Sequence, residues 1–209
     1  MKTTPIAPET ISEGEYRDRL LAATLGGIGD VGWADLTIAE VVRRARVSKR
    51  TFYEHFATKE ACLLALYESE SSRLLNELDA AIAQVPRGEG RIGEGASVYL
   101  GHLRARPRVV RTLALEVLHL GGEGLAVRRR VMQRFAAHMQ REINAAGTRP
   151  PISLDVAMVI VGGINELVLE ALEAGRIDRL EELAKPIVEV IGRVLRGGTV
   201  EGTMKRRRA

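Results

Sequence analysis

Residues 37–59 read TIAEVVRRARVSKRTFYEHFATK, and this stretch decides the fold near the N-terminal end of the chain. Thr37 is placed to cap one short helix, and Glu40 three residues later is placed to complete a capping box. Ser48 is placed to cap a second short helix. A three-residue turn separates the two helices, so the stretch predicts a helix-turn-helix.

The second helix of this motif carries cations at its N-terminal end, where they oppose the helix dipole. Lys49 and Arg50 fall in its first turn, and five of the eight residues 43–50 are basic. A solvated charged face is the plain interpretation of such a cluster. A phosphate or guanine partner would instead turn the unfavourable placement into a favourable one, which predicts contact with nucleic acid.

The rest of this helix carries both aromatic and polar side chains. Tyr53 and His55 flank Phe52 and Phe56, which are predicted to face the core. A phenol and an imidazole both donate hydrogen bonds to phosphate. Lys59 lies at the start of the next helix, where free backbone N–H groups also favour an anion. The sequence therefore predicts a DNA-binding helix-turn-helix.

Composition narrows the class of protein further. The chain has 209 residues, a net charge of +4 and one cysteine, Cys62, so it cannot form an internal disulfide. Residues 1–15 are polar and show no secretory pattern. The longest apolar run, 156–164, is too short to span a bilayer. We expect a cytoplasmic protein without a membrane segment.

Helical periodicity dominates the chain, and patterns typical of strands are absent. The sequence therefore predicts an all-α fold with a three-helix head and a larger helical body, about nine helices in total. The predicted domains are a disordered N-terminus (1–14), a helix-turn-helix domain (15–60), an effector-binding and dimerisation domain (61–196) and a basic tail (197–209). The last predicted helix runs over 177–196.

The pattern over residues 32–59 resembles the head of the TetR (tetracycline-repressor-like) family of one-component regulators. The matching residues are GWxxLTxxxVVxxAxVS from Gly32, followed by YxHFxxK from Tyr53. The resemblance covers about the first third of the chain. Arg46 stands where the family usually has glycine, Cys62 where it has leucine, and Gly27 where it has an apolar residue.

The resemblance implies roles for individual residues of the head. Phosphate contacts are implied for Thr37, Tyr53, His55 and Lys59, and contacts to base edges or adjacent phosphates for Lys49, Arg50 and Thr51. Arg44 and Ser48 complete the predicted DNA-binding set. For Arg43 and Arg44, an ordinary exposed helix face is an equal alternative.

The resemblance also implies a small-molecule pocket and a two-fold dimer in the body. Candidate pocket residues are Leu103, Leu113, Glu116, His119, Phe135 and Met139, although core packing also explains such apolar positions. Candidate dimer residues are Val156, Val159, Ile160, Gly163, Ile164, Leu167, Ile187 and Ile191, for which an internal core is the alternative.

The sequence gives little support for a metal site, a cofactor or enzymatic catalysis. His102, His119 and His138 lack the spacing of metal ligands on a helix, so no metal is predicted. No glycine loop follows a strand to hold a phosphate, and no cofactor is predicted. The sequence therefore predicts a regulator, not an enzyme.

The predicted function is a ligand-responsive repressor that binds a palindromic operator as a homodimer and is released by a small molecule. The first alternative is a DNA-binding protein without a small-molecule inducer, which is regulated by a protein or has an architectural role. The second alternative is a helical enzyme or carrier whose head resembles the family by accident.

Overall fold

The computed structural model describes residues 13–86, 88, 90–147 and 150–196. Within these ranges the chain forms nine α-helices, one 3₁₀ helix and no strand, so the prediction of an all-α fold is confirmed. The elements are α1 (Glu13–Val31), α2 (Ile38–Ala45), α3 (Lys49–His55), α4 (Lys59–Ala83), α5 (Gly90–Ala105), α6 (Pro107–His119), α7 (Gly121–Ala145), α8 (Leu154–Glu173), the 3₁₀ helix (Ile177–Leu183) and α9 (Ala184–Leu195).

Two predicted segments fall largely or wholly outside the described residues. The basic tail, 197–209, is one of them, and residues 1–12 of the predicted N-terminal tail are the other. Glu13 and Gly14, which we predicted to belong to that tail, instead form the start of α1.

The chain divides into two compact units between Tyr67 and Glu68. The first unit, called the head below, contains α1, α2, α3 and the start of α4. The second unit, called the body, contains the remainder of α4 and the elements that follow it. The predicted functional division into 15–60 and 61–196 stays a prediction.

Both short helices of the head begin at the side-chain caps that the sequence predicts. The Thr37 hydroxyl accepts a hydrogen bond from the Glu40 amide at 3.2 Å. The Ser48 hydroxyl accepts one from the amide three residues later at 3.0 Å. The Glu40 carboxylate, however, receives hydrogen bonds from Arg43 and Arg44. Its predicted return bond in a capping box is therefore replaced by ion pairing.

The core of the head contains apolar side chains from its helices and from the α1–α2 connection. Those that are less than 2% exposed include Leu20, Ile28, Leu36, Val41, Phe52 and Leu63. Cys62 is also buried, and its Sγ lies 3.3 Å from the Thr24 hydroxyl. Burial raises the pKa of the Cys62 thiol to about 11, so the thiol is protonated at neutral pH.

Two adjacent glycines of α1 have different surroundings. A Cβ on Gly27 would lie 2.5 Å from the Leu36 Cδ1 atom, and Leu36 is itself buried in the core. A Cβ on exposed Gly26 would have the Arg44 Nη1 atom as its nearest neighbour, at 4.0 Å. The buried Leu36 side chain thus occupies the space beside Gly27 where the family usually has an apolar residue.

We predict different responses to alanine at these two positions. Gly26→Ala should stabilise the protein by about 1 kcal/mol, because alanine is the better helix former. Gly27→Ala should be less stable than Gly26→Ala by about 1–3 kcal/mol, because the added methyl overpacks the core against Leu36. Urea denaturation followed by helical circular dichroism measures both. Equal stabilisation by the two substitutions would contradict the packing described here.

The body contains two apolar clusters. The larger joins α5, α7, α8, α9 and the 3₁₀ helix through Ala96, Leu100, Ile143, Ile160, Ala171, Leu180, Ile187 and Ile191. The smaller joins α7 to α8 through Met132, Ala136, Ala157 and Val161. The core of this unit thus lies between helices that are distant in sequence.

Within the body, α4 and α7 are joined by a series of polar contacts that we call the α4–α7 ladder. Arg130 Nε lies 3.0 Å from Glu68 Oε1, Arg134 Nη2 lies 2.5 Å from Ser72 Oγ, and Arg141 Nη2 lies 2.9 Å from Asp79 Oδ1. The two partners are 62 residues apart in every contact. A constant separation of this kind means that the two helices run in the same direction.

The predicted single helix over 177–196 is wrong at its start. The chain forms a 3₁₀ helix over Ile177–Leu183, with non-helical φ/ψ angles at Arg179, and α9 begins afterwards at Ala184. Pro186 explains the break, because proline lacks an N–H and is tolerated only in the first turn of a helix. A restart at Ala184 puts Pro186 in that first turn.

None of the helices formed by the described residues combines the length and apolar character needed to cross a bilayer.

Candidate nucleic-acid interface

The helix α3 presents a buried side and an exposed side. Phe52 is fully buried, and its ring centroid lies 5.8 Å from that of Phe56. Tyr53 is 56% exposed, with its ring edge-on to Phe52 at 5.5 Å. Lys49 and Arg50 are exposed at the N-terminal end of the helix. The predicted separation of core and surface positions along α3 is therefore present.

Arg50 has a partner that sequence reasoning missed. Its Nε lies 3.0 Å from Glu54 Oε1, one helical turn away on the exposed surface. Their side chains are 88% and 54% exposed, so the pair is solvated and exchanges easily with other partners. The i, i+4 spacing is itself a sequence signal for such a pair.

Three hydroxyl groups at the helix N-termini belong to the predicted set. Thr37 and Ser48 accept the capping hydrogen bonds of α2 and α3 and are exposed. The Thr51 hydroxyl lies 2.9 Å from that of Ser48. His55 is half-buried, with its ring centroid 6.3 Å from that of Phe56. Thr37 lies at the start of α2, whereas Ser48 caps α3, the helix that carries Thr51 and His55 together with Lys49 and Tyr53.

Arg44 is held by carboxylates of its own domain. Its Nε and Nη1 atoms lie 2.6 Å and 2.5 Å from Glu40 and Asp30 respectively, and its side chain is 23% exposed. Two of the three guanidinium nitrogens are thus paired within the head, so the predicted DNA contact of Arg44, which stays a prediction, would compete with these carboxylates. Arg43, also paired with Glu40, is 70% exposed at its side chain.

These pairs also determine the charge state of Glu40. Hydrogen bonds from Arg43 and Arg44 lower the pKa of the Glu40 carboxyl to about 2. A carboxyl with a depressed pKa contributes its full stabilisation above the ordinary pKa of glutamate and loses it as the pH falls toward 2. The Glu40 pairs therefore stay ionic throughout the physiological range.

Lys59 also has partners within the head. Its Nζ donates to the carbonyl oxygens of Trp33 at 3.0 Å and Leu36 at 2.8 Å. The same Nζ lies 4.0 Å from the centroid of the Trp33 ring. The ammonium is thus already engaged by the α1–α2 connection, where the family resemblance implies a phosphate contact.

The pocket candidates of the body lie at different depths. Leu113 is buried, Glu116 is half-buried, and Leu103, Phe135 and Met139 pack partly buried against the apolar clusters. His119, by contrast, is exposed at the C-terminal end of α6, so it does not line an enclosed chamber. A cavity of about 260 Å³ is lined by other residues: Ser97, Leu100, Gly101, Arg104, Glu181 and Ala184.

The two remaining histidines each face an acid on α4. His102 Nδ1 lies 2.7 Å from Glu77 Oε2. His138 Nδ1 lies 3.2 Å from Asp79 Oδ1 and 2.9 Å from Arg141 Nη2. Burial is the main cause that lowers the pKa of His138. Arg141 can only donate and the Asp79 carboxylate can only accept, so Nδ1 pairs with Arg141 when it carries no proton and with Asp79 when it carries one.

The dimer candidates divide into two groups. Val156, Val159, Gly163 and Leu167 are exposed along one side of α8. Ile160, Ile187 and Ile191 are buried in the larger cluster of the body, and Ile164 packs half-buried against it. These four isoleucines therefore belong to the core of the chain itself, which was the alternative interpretation. Val190 of α9, which was not among the candidates, is 50% exposed.

A comparison with known protein families shows which family the head is similar to. The model described as bacterial regulatory proteins, tetR family, matches residues 20–66, which include both helices of the predicted motif. Residues 20–66 of the chain are thus similar to the N-terminal segment of tetR-family regulators. The match is to regulatory proteins, in agreement with the prediction of a regulator and not an enzyme.

A curated relative supports the same assignment of the tetR-family head. The HTH-type transcriptional regulator BetI 1 of Chromohalobacter salexigens is 36% identical over 89 residues. The aligned segment is 43% of this chain and 39% of that regulator, so the chain matches about two fifths of its relative's length.

Solved structures extend the likeness to the body. FadR from Bacillus subtilis, solved in complex with stearoyl-CoA, superposes with a TM-score of 0.66 at 14% identity, covering 83% of this chain and 96% of that one. RolR, solved in complex with resorcinol, superposes with a TM-score of 0.63 at 18% identity, covering 86% and 89%. At such low identities, the likeness shows a shared fold.

One departure from the tetR-family pattern has a visible compensation. Arg46, in the turn between α2 and α3, has φ 55° and ψ 46° and is the one non-glycine residue with positive φ among the described ranges. Arg19 Nη2 donates to the carbonyl oxygens of Ala45 at 2.5 Å and of Arg46 at 3.1 Å. A cation at the C-terminal carbonyls of α2 satisfies the helix end and its dipole. Sequence reasoning missed Arg19, because its partners are 26 and 27 residues away.

We predict that Arg46→Gly stabilises the protein by about 1–2 kcal/mol, because glycine adopts the left-handed conformation without strain. Arg19→Met should destabilise it by about 1–3 kcal/mol, because the end carbonyls of α2 lose a charged donor. Chemical denaturation of the two single variants and of the double variant measures both effects. An Arg46→Gly variant less stable than the native chain would refute the strain argument.

Proposed function

We propose that this chain is a ligand-responsive transcriptional regulator that binds a palindromic DNA operator as a homodimer through α3. The exposed cationic start of α3, held above the buried Phe52, is the observation that carries the proposal. No acidic residue lies in the first turn of this helix. A helix N-terminus with added cations attracts the phosphate backbone and presents donors to guanine.

The proposed DNA contacts are assigned from the exposure of the side chains. Lys49 and Arg50 are exposed donors at the N-terminal end of α3 and reach base edges in the major groove. Tyr53, 56% exposed, donates its hydroxyl to a phosphate. Thr37 caps α2 by accepting a hydrogen bond, which leaves its hydroxyl proton available for a second phosphate. Thr51 and His55 are proposed as secondary contacts, because both are half-buried.

In the free protein, before any DNA binds, Arg50 is paired with Glu54. In the absence of DNA, the guanidinium lies against a carboxylate 3.0 Å away. A guanine that accepts two hydrogen bonds from Arg50 competes with this partner. The released Glu54 carboxylate then either accepts a hydrogen bond from a cytosine amino group or is repelled by nearby phosphates. The pair therefore favours some operator sequences over others.

The proposed dimer uses the exposed side of α8. Val159 is 76% exposed, and Val156 and Leu167 are 42% and 37% exposed on the same side of the helix. A Cβ on Gly163, between them, would meet nothing within 4 Å, so another helix can approach closely there. A second copy of this chain covers the stripe in a two-fold arrangement and places two α3 helices about 34–36 Å apart.

A small molecule is proposed as the effector. FadR and RolR, which share the fold, were solved with stearoyl-CoA and resorcinol respectively. The half-buried apolar candidates Leu103, Phe135 and Met139 and the half-buried Glu116 fit a pocket of mixed polarity. The effector would release DNA by favouring one position of α4, a continuous helix from Lys59 to Ala83, through its different affinities for the two states. Repression in the cytoplasm, without a cofactor, completes the proposal.

Selection of bound DNA from a random pool tests this function. The native chain should enrich a palindrome, and Tyr53→Phe should weaken binding to every enriched sequence by a similar factor, because it loses a phosphate donor. Lys49→Ala should also change the preferred sequence. Repeating the selection with lipophilic anions and cations tests for release by an effector. A chain that binds no duplex at low salt would overturn the proposal.

The dimer has its own test. Val159→Glu should convert the dimer to a monomer, because it places a charge in the centre of the apolar stripe on α8. Leu125→Glu is the matched control, since Leu125 is a 51% exposed apolar residue on α7, outside the stripe. Sedimentation analysis measures both variants. Dissociation by Leu125→Glu, with no effect of Val159→Glu, would place the interface elsewhere.

A further inference from the structure

The first residue of α4, Lys59, is bound to the connection that precedes α2. Its ammonium donates to two backbone carbonyls, those of Trp33 at 3.0 Å and Leu36 at 2.8 Å. Its charge also lies 4.0 Å from the centre of the Trp33 ring, within the range of a cation–π contact. Two of its three N–H donors are therefore used inside the head when no DNA is present.

These contacts explain how a cation is tolerated at this place. A lysine in the first turn of a helix opposes the helix dipole unless another group compensates its charge. Carbonyl dipoles and the electron-rich face of an indole supply that compensation here. Lys59 does not need a phosphate to offset the penalty, unlike Lys49, which is exposed at the start of α3.

The residues that Lys59 holds are next to a proposed DNA contact. Leu36 is 1% exposed, so its side chain is fixed in the core, and its carbonyl immediately precedes Thr37. Thr37 is the N-cap of α2. The backbone between Trp33 and Thr37 is thus tied to the core by Leu36 and to the first turn of α4 by Lys59.

We infer that Lys59 is a positioning residue that couples the first turn of α4 to the N-terminus of α2, and that it does not contact phosphate. This inference rests on the proposed DNA-binding function and adds to it the route by which α4 affects the interface. When the first turn of α4 moves, Lys59 moves the Trp33–Leu36 connection and with it the Thr37 hydroxyl. DNA affinity then responds to the position of α4 through this link.

Trp33 provides a direct reporter, because it is the one tryptophan of the chain. An ammonium 4.0 Å from an indole ring alters its emission, and loss of that charge changes the emission without any DNA. The contact can therefore be followed separately from the function.

The experiment compares three variants of the full-length chain on the operator selected with the native protein. Lys59→Met keeps the length of the side chain and removes all donors. Lys59→Gln keeps two N–H donors for the carbonyls and removes the charge. Lys49→Met is the matched control, since it removes an exposed cation from α3. Affinity is measured over a range of salt concentrations, and Trp33 emission is recorded without DNA.

A positioning role predicts a specific combination of results. Lys59→Met should weaken binding by about tenfold, the effect of a lost net hydrogen bond, with an unchanged slope of log K against log salt and a shifted Trp33 emission. Lys59→Gln should bind closer to the native level, also with an unchanged slope. Lys49→Met should lower the slope, because it removes an exposed cation from the DNA interface, and should leave the emission unchanged.

Other results would overturn the inference. A slope that falls by about 0.9 in Lys59→Met or Lys59→Gln would show that Lys59 neutralises a phosphate. Native affinity in Lys59→Met would show that the link has no influence on the interface. If Lys59→Met does not fold, the slope of Lys59→Gln decides alone. A native chain that binds no DNA would refute the proposed function instead, and that outcome is recognised before any variant is measured.

Discussion

Burial of Phe52 is the constraint on which the recognition surface depends. A helix of seven residues, such as α3, is too short to be stable alone, because nucleation costs more than its few hydrogen bonds return. The Phe52 ring, fully buried and in contact range of Phe56, supplies the missing stabilisation. Because Phe52 fixes the rotation of the helix, it also decides that Lys49, Arg50 and Tyr53 face outward.

The head uses its internal charges differently on its two short helices. On α2, Glu40 pairs with Arg43 and Arg44, and Asp30 of α1 also pairs with Arg44. On α3, the ion pair is between two solvated side chains. Arg44 thus links α2 to α1, whereas the cations of α3 remain available to a partner.

Much of the head was predictable because its determinants are local. The caps at Thr37 and Ser48 act within three residues, and each forms the expected hydrogen bond with a backbone amide. The contacts of Lys59 were not predictable, because its partners are 26 and 23 residues away. The packing of the body was harder to predict from the sequence for a related reason. The residues of α8 itself are apolar on several sides of the helix, so periodicity alone does not distinguish buried Ile160 from exposed Val159.

The α4–α7 ladder limits how the body can rearrange. Its three contacts occur at matched positions on two parallel helices, so a small slide of one helix along the other would break all three together. A slide by a whole helical turn, about 5.4 Å, would not restore all three, because Arg141 would then lie opposite Leu75 or Ala83 in place of Asp79. A displacement of α4 would therefore carry α7 with it, so that the two helices move together.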